Sequence, residues 1–211
     1  MANYCSNSVT YYSDNQGQIL NLYLRLRGAT EALGGMEMGD IKAKPLLAEL
    51  GVDPEIIEKL DGRTSINYLG LLVEDEKPVG VQFDAESAWS PCDDFADILL
   101  RAIYPDRGDI EMVYTAEEPG CEVYVNTDVD HRFYKTVLVM NVIAGEINDS
   151  YYYNMDELDS AFDMIKKLTG YKPSKLADLD DTKFMEKLEA GFRKKYPDED
   201  DYLGIYTYEN S

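Results

Sequence analysis

The stretch 79–103, VGVQFDAESAWSPCDDFADILLRAI, contains the clearest local signals in the chain. Its first half alternates apolar and polar residues, a pattern typical of a half-buried strand. Ser90 and Pro91 then favour a helix N-cap and first turn, and Pro105 ends the helical pattern. Apolar residues recur between these limits at helical spacing: Phe95, Ile98, Leu99, Ala102 and Ile103. The stretch therefore predicts a strand followed directly by an amphipathic helix.

The flanking segments extend this unit in both directions. Residues 7–12 and 65–73 are β-prone, 16–33 has helical spacing, and a strand with a following turn is predicted from 110 onward. Residues 36–63 resemble an insert of two short helices. The predicted order is strand, helix, insert, strand, strand, helix, strand. This is the βαββαβ order of a ferredoxin-like sandwich, an α+β fold with two helices on one face of an antiparallel sheet.

The C-terminal part predicts further strands and helices. Residues 132–144 form a long β-branched run, and Asn154 with Glu157 makes a capping-box pattern before a helix that Gly170 closes. A second helix is predicted over 181–196. A last strand follows it. We predict a ferredoxin-like domain over residues 1–144 and a C-terminal α/β extension over 145–211. Alternatively, the last strand returns to the main sheet and makes one domain.

Charge and composition exclude several functions. The 211 residues include 41 acidic and 20 basic ones, which gives a net charge of −21. We expect no direct binding of nucleic acid or of anionic membranes, because both depend on Lys and Arg. The N-terminus lacks the basic and apolar regions of a signal peptide, and the longest apolar stretch, 136–144, is shorter than the ~20 residues that span a bilayer. Together with three scattered cysteines, these features predict a cytoplasmic protein.

Catalytic and metal-binding patterns are weak. Cys5, Cys92 and Cys121 make no CxxC pair, and the chain has no phosphate-binding loop motif. The single histidine, His131, follows the alternating Asp128 and Asp130 and could form a small metal site with them. Acidic residues are also typical of a solvated turn, and we favour the turn. We therefore predict no catalytic residues, no cofactor and no metal.

The acidic segment 74–130 is the strongest functional signal. It contains 16 acidic and 3 basic residues, and such a surface attracts basic partners. Solubility alone could also explain this charge. Trp89, the only tryptophan, is either an exposed contact residue or packs on the helix that it precedes. The predicted interaction surface consists of Trp89, Asp93, Asp94, Asp97, Glu117 and Glu118.

Three segments carry a family resemblance. These are MANYCSNSVT at 1–10, FDAESAWSP at 83–91 and YTAEEPG at 114–120. Together they resemble the YubB-type ferredoxin-like family of bacterial plasmids, phages and integrative elements, over roughly residues 1–145. Tyr4 stands where that family usually has Trp, and Cys92 where it often has Pro. The resemblance implies a ferredoxin-like fold and a mobile-element setting, but no reaction.

The function hypothesis combines these observations. We expect a non-catalytic, acidic interaction protein that binds a basic, nucleic-acid-binding protein in a mobile-element context. The alternative is a small-molecule-binding protein or an enzyme that uses a groove on the sheet near Trp89, which requires a concave pocket with convergent polar groups. A homodimer that packs sheet on sheet is a third possibility.

Overall fold

The computed structural model of the chain describes residues 4–36, 40–60, 63–118 and 123–208. The α+β class is confirmed, and the chain divides into two units, residues 1–128 and 129–210. The division falls before the predicted boundary at 144. The strand over Thr136–Ala144 pairs with later strands rather than with the first sheet, so the prediction that it belongs to the first domain is wrong.

The first unit is built on a six-stranded sheet. The strands follow the order β2-β3-β4-β1-β5-β6, and every pair is antiparallel. The elements are β1 Tyr4–Tyr12, α1 Gln16–Ala32, β2 Ile41–Lys42, α2 Ala43–Glu49, α3 Pro54–Lys59, β3 Ser65–Glu74, β4 Lys77–Ala88, α4 Asp93–Ile103, β5 Glu111–Glu118 and β6 Val123–Asn126. The insert over 36–63 thus contains the two predicted short helices and one short strand.

Alternation along β1 separates the two faces of this sheet. Val9 and Tyr11 point toward the helices and belong to the apolar core, together with residues of α1, α2 and α4. The buried Tyr11 hydroxyl donates a 2.6 Å hydrogen bond to the Ala96 carbonyl, which fixes α4 against the central strand. We call this side the helix face and the opposite side the polar face.

The start of α4 differs from the sequence prediction. Ser90 is not the N-cap, because the helix begins at Asp93 and Cys92 occupies the cap position without a side-chain cap bond. The Ser90 carbonyl instead accepts a 2.6 Å hydrogen bond from the Ser87 hydroxyl. Trp89 has a φ of 70°, a left-handed conformation that turns the chain between β4 and α4.

The second unit has a three-stranded antiparallel sheet in the order β8-β7-β9. Its elements are β7 Thr136–Ala144, β8 Ile147–Asn154, α5 Leu158–Thr169, α6 Thr182–Lys195 and β9 Tyr202–Thr207, with a 3-10 turn over Met155–Glu157 before α5. Leu138, Met140 and Val142 of β7 pack with apolar residues of both helices in a second core. The last strand pairs with β7, so it does not return to the six-stranded sheet.

Local capping in the second unit follows the sequence. The capping box between Asn154 and Glu157 is present, and Gly170 ends α5 with a φ of 86°. The Asp181 carboxylate accepts hydrogen bonds from the first backbone N–H groups of α6. No helix in the described ranges is long and apolar enough to cross a membrane.

Candidate functional site

The polar face of the first sheet presents rows of hydrophilic side chains across its central strands. One row places Ser6 of β1 between Glu86 of β4 and Glu117 of β5. The next row places Ser8 between Asp84 and Thr115. Because alternate residues of a strand point to one face, all six side chains lie on the side opposite the helices.

These rows surround a shallow depression of about 390 Å³. Its lining includes the three carboxylates of Asp84, Glu86 and Glu117, with hydroxyl and amide groups between them. The Ser8 hydroxyl donates a 2.6 Å hydrogen bond to Asp84, and the Gln82 amide donates a 2.9 Å bond to the Ser8 oxygen. The depression is therefore polar rather than apolar, and hydrogen bonds from neighbouring side chains orient the Asp84 carboxylate and the Ser8 hydroxyl.

The charged residues that line the depression are all acidic. None of the paired rows around the depression contains Lys or Arg. Glu111 extends the negative charge along β5, where its carboxylate accepts a 2.8 Å hydrogen bond from the Tyr12 hydroxyl. The first unit contains 24 acidic and 9 basic residues, so this face belongs to the more negative part of the chain.

The helix face at the same end of the sheet contains a buried polar cluster centred on Asn7. The Asn7 side chain donates to the Cys5 carbonyl at 2.8 Å and to the Ser87 hydroxyl at 2.9 Å. Its oxygen accepts a 2.9 Å hydrogen bond from the Cys92 backbone N–H. One side chain thus links β1, β4 and the start of α4, and its role is structural.

The predicted interaction residues do not form one surface. Asp93 and Asp94 are exposed in the first turn of α4, on the helix side, whereas Glu117 lies on the polar face. Trp89 is 46% exposed in the turn before α4. The expectation that hairpin and helix carboxylates lie together is therefore wrong, because the sheet separates them.

Asp97 is held by two arginines. Its carboxylate accepts a 2.7 Å hydrogen bond from Arg101 and also pairs with Arg107. Burial alone would raise the pKa of Asp97, but the hydrogen bonds from the two guanidinium groups outweigh it and lower the pKa below its usual value. Its negative charge is therefore largely compensated within the unit.

Glu118 is not a surface residue. It is 3% exposed on the helix face near Cys5, and its Oε1 has no hydrogen-bond partner among the described residues. Glu117 and Glu118 are adjacent in sequence, so strand alternation places them on opposite faces. Of the predicted acidic residues, only Glu117 belongs to the depression.

The two described cysteines are buried and weakly acidic. Burial raises the pKa of the Cys5 thiol to about 11, and the Glu118 carboxylate adds to this shift. Burial likewise raises the pKa of Cys92 to about 12. Both thiols stay protonated at neutral pH, which makes them poor nucleophiles. Cys121 lies outside the described residues.

The turn predicted before His131 is present, but it is not fully solvated, because Asp128 is 4% exposed. A turn over residues 129–130 precedes His131, whose Nδ1 lies 3.2 Å from the Tyr134 carbonyl oxygen. Among the residues that the structure describes, no three His, Cys, Asp or Glu side chains are grouped in a way that could hold a metal ion.

Comparisons of the chain with protein-family models, curated proteins and solved structures find no match. The candidate site therefore depends on its own geometry. Sequence reasoning missed Ser6, Ser8, Gln82, Asp84 and Glu86 as members of the site. Their alternation with buried apolar residues was a usable signal, since β1 and β4 were both predicted as strands.

Proposed function

We propose that the chain is a non-catalytic interaction protein that binds a basic segment of a partner protein on the polar face of its first sheet. The observation that supports this function is the convergence of Asp84, Glu86 and Glu117 on one depression, where they are the charged residues of the lining. Such a face attracts a positively charged partner and accelerates its association.

An arginine side chain fits the chemistry of this depression. Its planar guanidinium donates several hydrogen bonds and matches carboxylates in a bidentate geometry. The Ser6 hydroxyl and the Thr115 hydroxyl lie among the carboxylates and can accept further hydrogen bonds. Binding here needs no movement of the buried Asn7 cluster on the other face.

A ferredoxin-like core is part of the same proposal. Strands β3, β4, β1 and β5 lie side by side in that order, with α1 and α4 as the connecting helices. This order supports the βαββαβ arrangement predicted from the sequence. Together with the YubB-type resemblance, it favours a partner that is itself a nucleic-acid-binding protein in the cytoplasm of a bacterium with a mobile element.

The alternative function, a small-molecule site near Trp89, has weaker support. The cavity beside this turn, lined in part by Ser87, Ser90 and Cys92, has about 120 Å³. Pockets for small molecules usually have about 300–1,000 Å³ and mainly apolar walls. The depression on the polar face is large enough but lacks such walls, so it suits a charged protein segment better.

Affinity capture with charge-matched variants tests the proposal. The variant Glu86→Lys/Glu117→Lys and the control Asp93→Lys/Asp94→Lys change the net charge equally but on opposite sides of the sheet. Each immobilised protein is incubated with a nuclease-treated lysate of the source bacterium at low and high salt, and captured proteins are identified by mass spectrometry.

We expect the wild type and the control to retain a basic protein that high salt releases, and the polar-face variant to lose it. Equal capture by all three proteins, or equal loss from both variants, would contradict the proposed surface. Circular dichroism of each variant checks that the fold is unchanged.

A further inference from the structure

Helix α6 and strand β9 enclose a groove of about 350 Å³ in the second unit. Its apolar lining includes Leu188 and Phe192 of the helix and Leu203 and Ile205 of the strand. Leu188 and Phe192 are buried, whereas the two strand residues are only partly covered. The helix thus supplies a buried apolar base for the groove, and the strand supplies apolar side chains that a bound segment could cover further.

The strand that forms this wall is an edge strand. β9 pairs with β7 on one side, and no strand in the described ranges pairs with its other side. An antiparallel strand with one neighbour directs half of its N–H and C=O groups away from the sheet. Such an edge is a template for another extended chain.

Two of the three charged residues that line the groove are acidic, which favours a basic occupant. Glu186 and Glu189 are exposed on the α6 wall. The one arginine of the lining, Arg193, donates hydrogen bonds to the backbone carbonyls of Asp198 and Asp201 at the end of the groove. Its positive charge is thus directed toward the loop over 198–201, which itself has four acidic residues.

We propose that the second unit binds an extended, basic segment of a partner protein by strand addition at β9. Backbone hydrogen bonds to the free edge give affinity, and alternate side chains enter the α6–β9 groove. A lysine or arginine there lays its aliphatic stem on the apolar base, and its charged end reaches Glu186 or Glu189. This site consists of other residues than the polar face of the first unit, and it does not rest on the function proposed for that face.

Fluorescence anisotropy with three labelled heptapeptides tests the chemistry of the occupant. The first peptide is Lys-Val-Lys-Ile-Lys-Val-Lys with blocked ends, and the others carry Ser or Glu in place of every Lys. We expect the Lys peptide to bind at least about tenfold more tightly than the Glu peptide, with the Ser peptide between them. A Lys peptide with N-methyl groups on alternate amides loses the strand hydrogen bonds, and we expect it not to bind.

Charge-matched protein variants locate the binding site. Glu186→Lys/Glu189→Lys changes two exposed helix residues and should weaken binding of the Lys peptide at least about tenfold. Asp93→Lys/Asp94→Lys changes the net charge equally at two exposed residues that belong to neither proposed site, and it should leave the affinity unchanged. Amide chemical shifts in ¹⁵N-labelled protein should change at 202–207 when the Lys peptide is added.

Three results would overturn the inference. They are equal binding of the N-methylated peptide, an equal loss of affinity in both protein variants, and absence of binding by all three peptides. The proposed function can fail independently, because its test depends on Glu86 and Glu117, whereas this test depends on Glu186, Glu189 and the edge of β9.

Discussion

Asn7 and Ser8 are neighbours on strand β1, but they lie on opposite faces of the six-stranded sheet and differ in their surroundings. Asn7 is buried, and its hydrogen bonds go to backbone and side-chain groups of the same unit. Ser8 is only partly buried and donates to Asp84, which remains accessible. Asn7 on the helix face therefore stabilises the fold from a buried position, whereas Ser8 and Asp84 on the polar face are partly exposed.

Glu117 and Glu118 repeat this difference on β5. The Glu117 carboxylate lies beside the depression, whereas Glu118 is enclosed near Cys5. Both residues are glutamates at adjacent positions, so the difference between them comes from the alternation of side chains along the strand. Substitutions at such neighbouring pairs test whether the two faces really divide structure from binding.

The largest expected effect is that of Asn7→Ala. The substitution leaves the buried Cys92 N–H without its acceptor and removes the hydrogen bond that Asn7 donates to the Ser87 oxygen, so we expect the free energy of unfolding to fall by about 2–4 kcal/mol. Urea unfolding followed by Trp89 fluorescence measures it, since this single tryptophan lies beside the cluster. Ser8→Ala, the control on the polar face, should cost about 1 kcal/mol or less. An equal fall in the free energy of unfolding for both variants would contradict the idea that only the helix face stabilises the fold.

Much of this architecture could be predicted because its signals are local. The strand and the helix within 79–103, the capping box at Asn154 and the C-terminal Gly170 of α5 each depend on a few adjacent residues, and all are confirmed apart from the N-cap at Ser90. The short helices of the insert followed from a proline and apolar spacing. Periodicity and turn chemistry suffice for such elements.

Features that depend on distant residues were predicted poorly. The domain boundary was placed at 144 because no local pattern shows that β7 pairs with β9, more than fifty residues later. The start of α4 was placed at Ser90 because the hydrogen bond from Cys92 to Asn7 joins residues 85 positions apart. Glu118 was assigned to the surface because its turn was considered without the strand pairing.

An alkaline pH should affect the helix face more than the polar face. Burial raises the pKa of Cys5 to about 11 in the folded state, so the folded protein keeps this proton while the unfolded chain loses it from about pH 9. The associated stability is present below pH 9 and is lost as the pH rises toward 11. At about 1.4 kcal/mol per pKa unit, the shift corresponds to about 3 kcal/mol, of which about 2 kcal/mol is lost by pH 11.

Urea midpoints at pH 8 and pH 11 measure this loss. Cys5→Ala should reduce the decrease between the two pH values, because the titrating thiol is absent. Ser6→Ala, the adjacent substitution on the polar face, should show the same decrease as the wild type. An unchanged decrease in Cys5→Ala would mean that this thiol does not contribute.

Glu118→Met should stabilise the protein. It replaces a buried carboxylate whose Oε1 has no partner among the described residues with an apolar side chain of similar size. We expect a gain of about 1–2 kcal/mol in urea unfolding at pH 7. The same substitution at Glu86, a partly exposed residue of the polar face, should change stability by less than about 0.5 kcal/mol. A destabilised Glu118→Met protein would show that the carboxylate has a structural partner.

The smallest effect concerns two carboxylates of α4. The pKa of Asp97 is lowered by its hydrogen bonds with Arg101 and Arg107, despite the opposing effect of burial, so it stabilises the fold above about pH 4 and loses this contribution as the pH falls through its lower folded value. Since the pair is partly exposed, the contribution is at most about 1 kcal/mol. Asp97→Asn should therefore flatten the decrease in urea midpoint between pH 7 and pH 3, whereas Asp94→Asn, an exposed residue of the same helix, should not. If both variants kept the full decrease, acid unfolding would depend on carboxylates elsewhere, and Asp97 would have to be regarded as surface charge like Asp94.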